Sequence, residues 1–175
     1  MPATANNPRD LLLLLLSDLL FVERQLSFQV IPELLGQVQS PELARCLSEH
    51  LEPTKRHAEA LERVFRALAA EPSSNRSDAF AALVEHHARL QGNILDRSLA
   101  DLFHAASAAQ VEHYEIAAYR ALIPLARTMG HQEAADLLEA NLGDEEYALA
   151  ELERAIDALV LQALAVDAQP PALDA

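Results

Sequence analysis

Residues 110–119 read QVEHYEIAAY, a stretch that places two acidic residues within a helical pattern of apolar ones. Apolar residues recur every three or four positions on both sides of it, which predicts an amphipathic helix. Glu112 falls on the apolar stripe of that helix, and Glu115 lies one turn further on, at its edge. The full stripe contains Leu102, Ala105, Ala109, Glu112, Ile116, Tyr119 and Ile123. An acid on a stripe that helix packing buries is the first indication of a polar site inside the protein.

The same kind of exception occurs in three other predicted helices. Glu23 interrupts a leucine-rich stripe near the N-terminus, and Glu145 interrupts another near the C-terminus. In the remaining helix the exception is His57, with Thr54 and His50 before it on the same stripe. A lone histidine such as His50 or His57 is more typical of a hydrogen-bonded core or interface position than of a ligand. Each long helix thus carries a polar residue where an apolar one is expected.

Capping residues, prolines and glycines divide the chain into four long helices and one short one. The predicted helices cover about residues 8–35, 41–70, 77–90, 95–129 and 131–164. Ser40 and Pro41 are typical of a helix start, and Gly130 is typical of a turn. Prolines predict kinks in the long helices, at Pro32, Pro53 and Pro124. The connection between the second and third long helices has about 25 residues and contains the short helix, which favours a crossover.

The predicted fold is therefore all-α: a ferritin-like four-helix bundle with a long crossover that contains a short extra helix. The polar exceptions lie 15 to 18 residues from the nearest predicted turn. At 1.5 Å per residue this is roughly 22–27 Å, in a bundle about 40–45 Å long. The exceptions should therefore meet near the middle of the bundle.

Ionised carboxylates in a core of low dielectric constant repel one another, and they must be protonated or bind cations. Carboxylates combined with imidazole suit iron or manganese. Di-iron bundles supply a Glu from each of two helices and Glu-x-x-His from each of the other two. Here Thr54 replaces one motif's carboxylate, Ala148 replaces the other's histidine, and Glu115 could restore one ligand. The candidate metal ligands are Glu23, His57, Glu112, Glu115 and Glu145, for two ions, with one or none left open.

Composition excludes several other classes of function. The 175 residues contain 27 Asp and Glu against 13 Lys and Arg, a net charge of −14. Such a surface repels nucleic acid and anionic membranes, so neither is a predicted partner. The single cysteine rules out an intrachain disulfide framework, and the four scattered glycines form no phosphate-binding loop. The length indicates one domain over residues 1–165, with a disordered tail over residues 166–175.

A run of six leucines, Leu11–Leu16, ends at Ser17 and Asp18. It is too short to span a membrane. It also lacks the net-positive start and the small-residue cleavage site of a signal peptide. The sequence therefore predicts a cytoplasmic location.

Over roughly residues 9–160 the chain resembles the YciE/YciF family of ferritin-like stress-response proteins. QVEHYEIAAY is the sharpest match, and DLLFVERQL at residues 18–26 and LERVF at residues 61–65 support it. The resemblance implies a rubrerythrin-like bundle, often dimeric, associated with stress. The di-metal site that it implies would include Glu23, Glu112, Glu115 and Glu145. The chain departs from the family by having Pro53 in place of a usual Glu and His57 where Gln is frequent.

Three functions follow as hypotheses. The first is a di-iron or di-manganese centre that handles peroxide or dioxygen, which would make the protein an oxidoreductase with an unidentified redox partner. The second is a metal-free bundle that acts as a stress-related binding or structural protein, its buried acids paired with protons, waters or Arg120. The third is iron storage, which requires a hollow shell of many subunits. The partner predicted in the first two cases is a second copy of the chain, as a homodimer.

Overall fold

The computed structural model describes residues 4–74 and 76–167, and its regular elements are all helical. Residues 168–175 of the predicted disordered tail lie outside the described residues, whereas the last helix includes residues 166 and 167. The elements are α1 (Pro8–Gln25), a π-helical turn (Leu26–Val30), α2 (Ile31–Leu35), α3 (Pro41–Ala67), α4 (Asp78–Gln91), α5 (Arg97–Thr128) and α6 (Gln132–Asp167). Among the described residues, no helix has the length and apolar character needed to cross a membrane.

Side-chain caps begin the helices where the sequence predicts them. The Asn7 side chain accepts a hydrogen bond from the Asp10 N–H at 2.9 Å, directly before α1. Ser40 caps α3 by accepting from the Leu43 N–H at 3.3 Å. These bonds satisfy backbone donors that the first helical turn leaves free. The turn between α5 and α6 uses Gly130 at φ +81°, a conformation that favours glycine.

The first predicted helix, residues 8–35, is confirmed with one irregularity. Five residues, Leu26–Val30, form a π-helical turn between α1 and α2, in which the Ile31 N–H donates to the Leu26 carbonyl. The turn begins three residues after Glu23, whose carbonyl also accepts a hydrogen bond from the Ser27 hydroxyl at 2.7 Å. Such π-helical turns occur frequently at functional sites.

Four long helical segments close a ring in which each packs against two others. The segment that starts with α1 contacts α3 and α5, and α6 also contacts α3 and α5. This arrangement is the predicted four-helix bundle. The interior of the bundle contains two apolar clusters, one toward each end, which we call the lower and the upper cluster. The lower cluster includes Leu16, Leu61, Leu122 and Leu138. The upper cluster includes Leu26, Leu47, Ala105 and Leu152.

The order of the clusters along each helix gives its direction. α1 begins in the lower cluster, and the chain reaches the upper one through the π-helical turn; α3 runs back. α5 also runs from the upper to the lower cluster, and α6 returns upward. Since α3 and α5 are parallel, a short loop cannot join them. Residues 68–96 form the long crossover, and α4 lies within it, as predicted, with Phe80 as its buried residue.

Candidate metal centre

A layer of buried polar side chains separates the two apolar clusters. Each of the five predicted ligands lies in it, from α1 (Glu23), α3 (His57), α5 (Glu112 and Glu115) and α6 (Glu145). Their exposed fractions are 0% for three of the glutamates, 1% for His57 and 5% for Glu112. The structure thus places the five residues at one level of the bundle, as their distances from the turns predict. Their role as metal ligands stays a prediction.

The first group of potential ligands joins three helices and contains Glu23, His57 and Glu145. The Nδ1 atom of His57 lies 2.7 Å from Oε1 of Glu145 and 3.6 Å from Oε1 of Glu23. One donor atom from each side chain lies within 4.8 Å of the other two. The three side chains therefore converge closely enough to hold one ion.

The second group contains His50, Glu112 and Glu145. Nε2 of His50 lies 3.4 Å from Oε1 of Glu112 and 3.3 Å from Oε2 of Glu145. His50 is 8% exposed, so the group is nearly as buried as the first. The sequence favoured a core role for His50; the structure buries it there and also brings it next to two potential ligands, so a ligand role for it stays a prediction.

Glu145 is the residue that the two groups share. Its Oε1 faces His57, and its Oε2 faces His50. A carboxylate with one oxygen on each of two donor groups has the arrangement that bridges paired metal ions, which stand about 3.5–4 Å apart in two-metal sites. Glu145 therefore offers one carboxylate oxygen to each of the two groups.

Glu115 lies in the same layer but belongs to neither group. It is fully buried, and in the described part of the chain neither of its carboxylate oxygens has a hydrogen-bond partner. The structure thus brings four of the five predicted ligands into three-residue groups and leaves Glu115 beside them.

Six of the potential donor atoms of the two groups lack hydrogen-bond partners within residues 4–74 and 76–167. The unpartnered atoms are His50 Nε2, His57 Nδ1, Glu23 Oε2, Glu112 Oε2 and both carboxylate oxygens of Glu145. Some of these atoms are in ion-pair contact with one another, at 2.7 Å for His57 Nδ1 and Glu145 Oε1. Buried polar atoms are normally paired, because burial without a partner is costly. Several unpaired carboxylate and imidazole atoms facing one another are a donor set that fits divalent cations.

A second set of residues holds the potential ligands in place. The Tyr119 hydroxyl donates to Oε1 of Glu23, and Asn141 Nδ2 donates to the Tyr119 oxygen at 3.0 Å. The same Asn141 group donates to the His57 carbonyl at 3.4 Å. Asp144 Oδ2 lies 3.2 Å from Nε2 of His57, on the side of the ring opposite Nδ1. A histidine held by a carboxylate through its second nitrogen is characteristic of metal sites.

Burial and mutual charge shift the pKa values in this layer. Burial raises the pKa of Glu23 to about 7. Burial, followed by the charge of Glu145, raises the pKa of Glu112 and Glu115 well above the usual value. Burial opposes a charge on His57, but its contacts with Glu145 and Glu23 outweigh burial and raise its pKa to about 10. Metal binding must therefore displace protons from this layer.

The two departures from the di-iron template have structural explanations. Thr54, which replaces a carboxylate, donates its hydroxyl hydrogen bond to the His50 carbonyl at 2.8 Å within α3. Ala148, which replaces a histidine, is buried on α6 three residues after Glu145, toward the upper cluster, and provides no donor. Arg120 pairs with Glu146 at 2.7 Å on the surface, so the suggested pairing of Arg120 with the buried acids is wrong. Among the described residues, His50 and His57 are the basic groups with ion-pair contacts to the buried glutamates.

Sequence reasoning missed three residues that support or complete this layer. The position of His50 on the stripe of His57, seven residues earlier, was the available signal. Asp144 and Asn141 had weaker signals, because both precede Glu145 on α6 without interrupting the predicted stripe. Tyr119 lies on the predicted apolar stripe of its helix, and its hydrogen bond to Glu23 shows that it also supports a potential ligand.

Residues 7–165 match a family described as a domain of unknown function (DUF892). The protein YciF of Escherichia coli (strain K12) is 30% identical over 143 residues, which cover 78% of this chain and 82% of YciF. The crystal structure of the E. coli stress protein YciF matches with a TM-score of 0.84 and 27% identity, over 89% of this chain and 98% of that one. YcfI from Rhodopseudomonas palustris, for which a structural role is suggested, matches with a TM-score of 0.81 and 34% identity, over 85% and 94% of the two chains.

Proposed function

This chain belongs to the DUF892 family, as its resemblance to the YciE/YciF proteins predicted, and we propose that it holds two iron or manganese ions in its polar layer. We infer that this centre handles peroxide or dioxygen in a stress response. The E. coli relative is described as a stress protein, which supports the biological setting. The support for the metal centre comes from this chain's own residues.

The observation that carries the proposal is the position of Glu145 between two donor groups. Glu23 and His57 would hold one ion, His50 and Glu112 the other, and Glu145 would contact both. Carboxylate and imidazole donors suit iron and manganese better than softer ions, which prefer sulfur. When bound, such ions supply one-electron redox chemistry and open positions for a small oxidant.

The surrounding residues would orient these ligands and control their protons. Tyr119 fixes the carboxylate of Glu23, and Asn141 in turn fixes the Tyr119 hydroxyl. Asp144 stabilises the orientation of the His57 ring through Nε2. The apolar clusters above and below exclude water from the layer, which strengthens electrostatic interactions inside it. Whether Glu115 acts as a further ligand or as a proton carrier depends on the bound state.

A second candidate is a metal-free bundle with a structural or binding role. The structural role suggested for YcfI, which is 34% identical, favours it. Against it stands the number of buried carboxylate oxygens without hydrogen-bond partners among the described residues, since a purely structural core gains nothing from them.

Metal content decides between the two candidates. Protein purified without chelator or affinity tag should contain about two iron or manganese ions per chain by mass spectrometry, the number expected of a two-metal site. Protein that contains none, and still takes up none after anaerobic loading with ferrous or manganous salt, would establish the metal-free candidate instead.

The homodimer, the cytoplasmic location and the absence of nucleic-acid and membrane partners stay predictions. Exposed apolar side chains near the end of α6, including Leu161 and Leu164, give the dimer a plausible contact surface. Sedimentation equilibrium would test the dimer, and a mass of many subunits would instead favour the iron-storage shell.

A further inference from the structure

An apolar cavity of about 170 Å³ lies in the upper half of the bundle and ends at the polar layer. Its walls come from the π-helical turn, α2, α3, α4, α5 and α6. We propose that this cavity binds a neutral, mainly apolar organic molecule of about the size of one aromatic ring, with one end against His50 and Glu112. That this molecule is a substrate of the metal centre rests on the proposed function; its binding does not.

The volume of the cavity sets the size of the ligand. An engineered cavity of about 150 Å³ lined by Leu, Ile and Phe in another protein remains dry and binds benzene. The present cavity is slightly larger. A single ring with one small substituent therefore fits, whereas a long acyl chain or a fused ring system requires movement of the walls.

The lining of the cavity sets the polarity of the ligand. Most of the wall is aliphatic, with Leu26, Leu34, Leu47, Leu83, Val111 and Leu152 among its members. A charged molecule would lose its hydration against these aliphatic side chains. The lining also includes the exposed Glu33, whose carboxylate would repel an anion. An anion would also meet the carboxylate of Glu112 at the inner end. These features favour a neutral molecule whose transfer from water is driven by burial of apolar surface.

The inner end of the cavity is polar and deeply buried. His50 and Glu112 both line it, and they are 8% and 5% exposed. In the described part of the chain, His50 Nε2 and Glu112 Oε2 have no hydrogen-bond partner. A ligand seated on the aliphatic walls would therefore place one end next to His50 and Glu112 of the second donor group.

The outer side of the cavity is formed by α4 and is partly open to solvent. α4 contributes Leu83, Val84 and Gln91 to the lining, but Phe80 is its buried residue. Gln91 Nε2 donates to Gln37 Oε1 at 2.8 Å, an exposed hydrogen bond that joins α4 to the loop before α3. This side gives a ligand a route into the cavity without opening the bundle.

Toluene is the probe for the cavity, and methyl-resolved NMR of the full chain is the measurement. Titration should shift methyl signals of Leu26, Leu47 and Leu152, which line the cavity, in a saturable manner. Methyl groups of Leu61 and Leu138, in the lower cluster, should not respond. Benzoate and benzylammonium, of similar size but charged, should cause no saturable shift. The absence of saturation with toluene, or stronger binding of either ion, would overturn the proposal.

A cavity-filling variant tests the location. Ala108→Phe places a ring inside the cavity and should weaken toluene binding at least about tenfold, or about 1.4 kcal/mol. Ala118→Phe is the matched control, because Ala118 is a partly buried residue of the same helix that packs against the lower cluster. Val84→Phe, at the exposed edge of the wall, gives a second test if the core variant fails to fold. Unchanged affinity in a folded Ala108→Phe or Val84→Phe protein would refute this location.

The titration is carried out on protein treated with chelator, so its result does not depend on metal uptake. A chain that binds metal but not toluene overturns this inference alone. A chain that binds toluene but takes up no metal supports the cavity and overturns the proposed metal centre.

Discussion

Replacing Glu145 with Gln should remove both metal ions together, whereas replacing other ligands should remove only one. Glu145 is common to the two donor groups, with one carboxylate oxygen directed to each. The substitution preserves the size of the side chain and removes its negative charge. Each group then has one carboxylate and one imidazole left, which is too few for a firmly held divalent ion.

The size of the effect follows from the shared position. Removing a residue that only orients a ligand typically costs 10–100-fold in metal affinity. Loss of a ligand should cost more, so both ions should bind more than about a hundredfold more weakly, or about 3 kcal/mol each. Glu112→Gln affects only the group with His50, so its metal content should fall from about two ions to about one.

The assay is metal content per chain by mass spectrometry, after anaerobic loading and removal of free metal. Glu146→Gln is the matched control, since Glu146 is the next residue on α6 and pairs with Arg120 on the surface. We expect about two ions in the control and in the parent protein, about one in Glu112→Gln, and none in Glu145→Gln. Circular dichroism establishes that each variant is folded.

Two results would refute the reasoning. Retention of two ions by a folded Glu145→Gln variant would mean that this carboxylate is not shared between ions. Loss of both ions in Glu112→Gln, with one retained in Glu145→Gln, would reverse the assigned roles. Equal loss in the Glu146→Gln control would show that the assay reports surface charge.

Three further outcomes are expected. Tyr119→Phe leaves Glu23 without its hydroxyl donor and should weaken metal binding about 10–100-fold, measured by competition with a fluorescent chelator; unchanged affinity would contradict this support. In metal-free protein the free energy of unfolding should fall as the pH rises from about 5 to 8, because carboxyls such as Glu115, with a pKa above its usual 4.5, hold protons in the folded state that the unfolded state releases. Thermal denaturation in chelator should show this slope, and Glu115→Gln should flatten it; the same slope in the variant would exclude Glu115 as a contributor. The carboxylate of Asp101 accepts hydrogen bonds from the Gln39 and Ser40 N–H groups, the latter at 2.6 Å. Asp101→Asn should therefore lower the free energy of unfolding, measured by urea denaturation, by about 1–2 kcal/mol. An unchanged free energy of unfolding would show that these bonds contribute little.

Most of the bundle could be predicted from local patterns. The predicted helices agree with the observed ones to within a few residues, because apolar periodicity, Ser40 at the start of α3 and the turn at Gly130 act over short distances. The π-helical turn at Leu26–Val30 was not predicted, because the apolar residues Leu26, Val30, Ile31 and Leu34 also fit the stripe of an uninterrupted α-helix. Pro32 predicted a kink close to this turn, but not a π-helical turn.

For the candidate site, the sequence predicts which residues are buried but not which of them contact one another. Burial of Glu23, His57, Glu112 and Glu145 follows from their positions on apolar stripes, and burial is a property that a single helix reveals. A single helix does not reveal whether these residues contact one another, because contact depends on how each helix is rotated about its axis and on the rotamers of its side chains. Glu115 shows the limit: its spacing from Glu112 resembles that of a second ligand, yet it lies in neither donor group.

The sequence by itself determined that four helices pair around a buried polar layer, since helical periodicity and the distances of polar residues from the turns are encoded locally. Only the tertiary structure decided that Glu145 stands between two donor groups and that His50 completes the second of them. It alone also showed that an apolar cavity under α4 reaches that second group. The physical reason is that these contacts join atoms on helices far apart in the chain, and the close packing of the two apolar clusters fixes the distances between those helices.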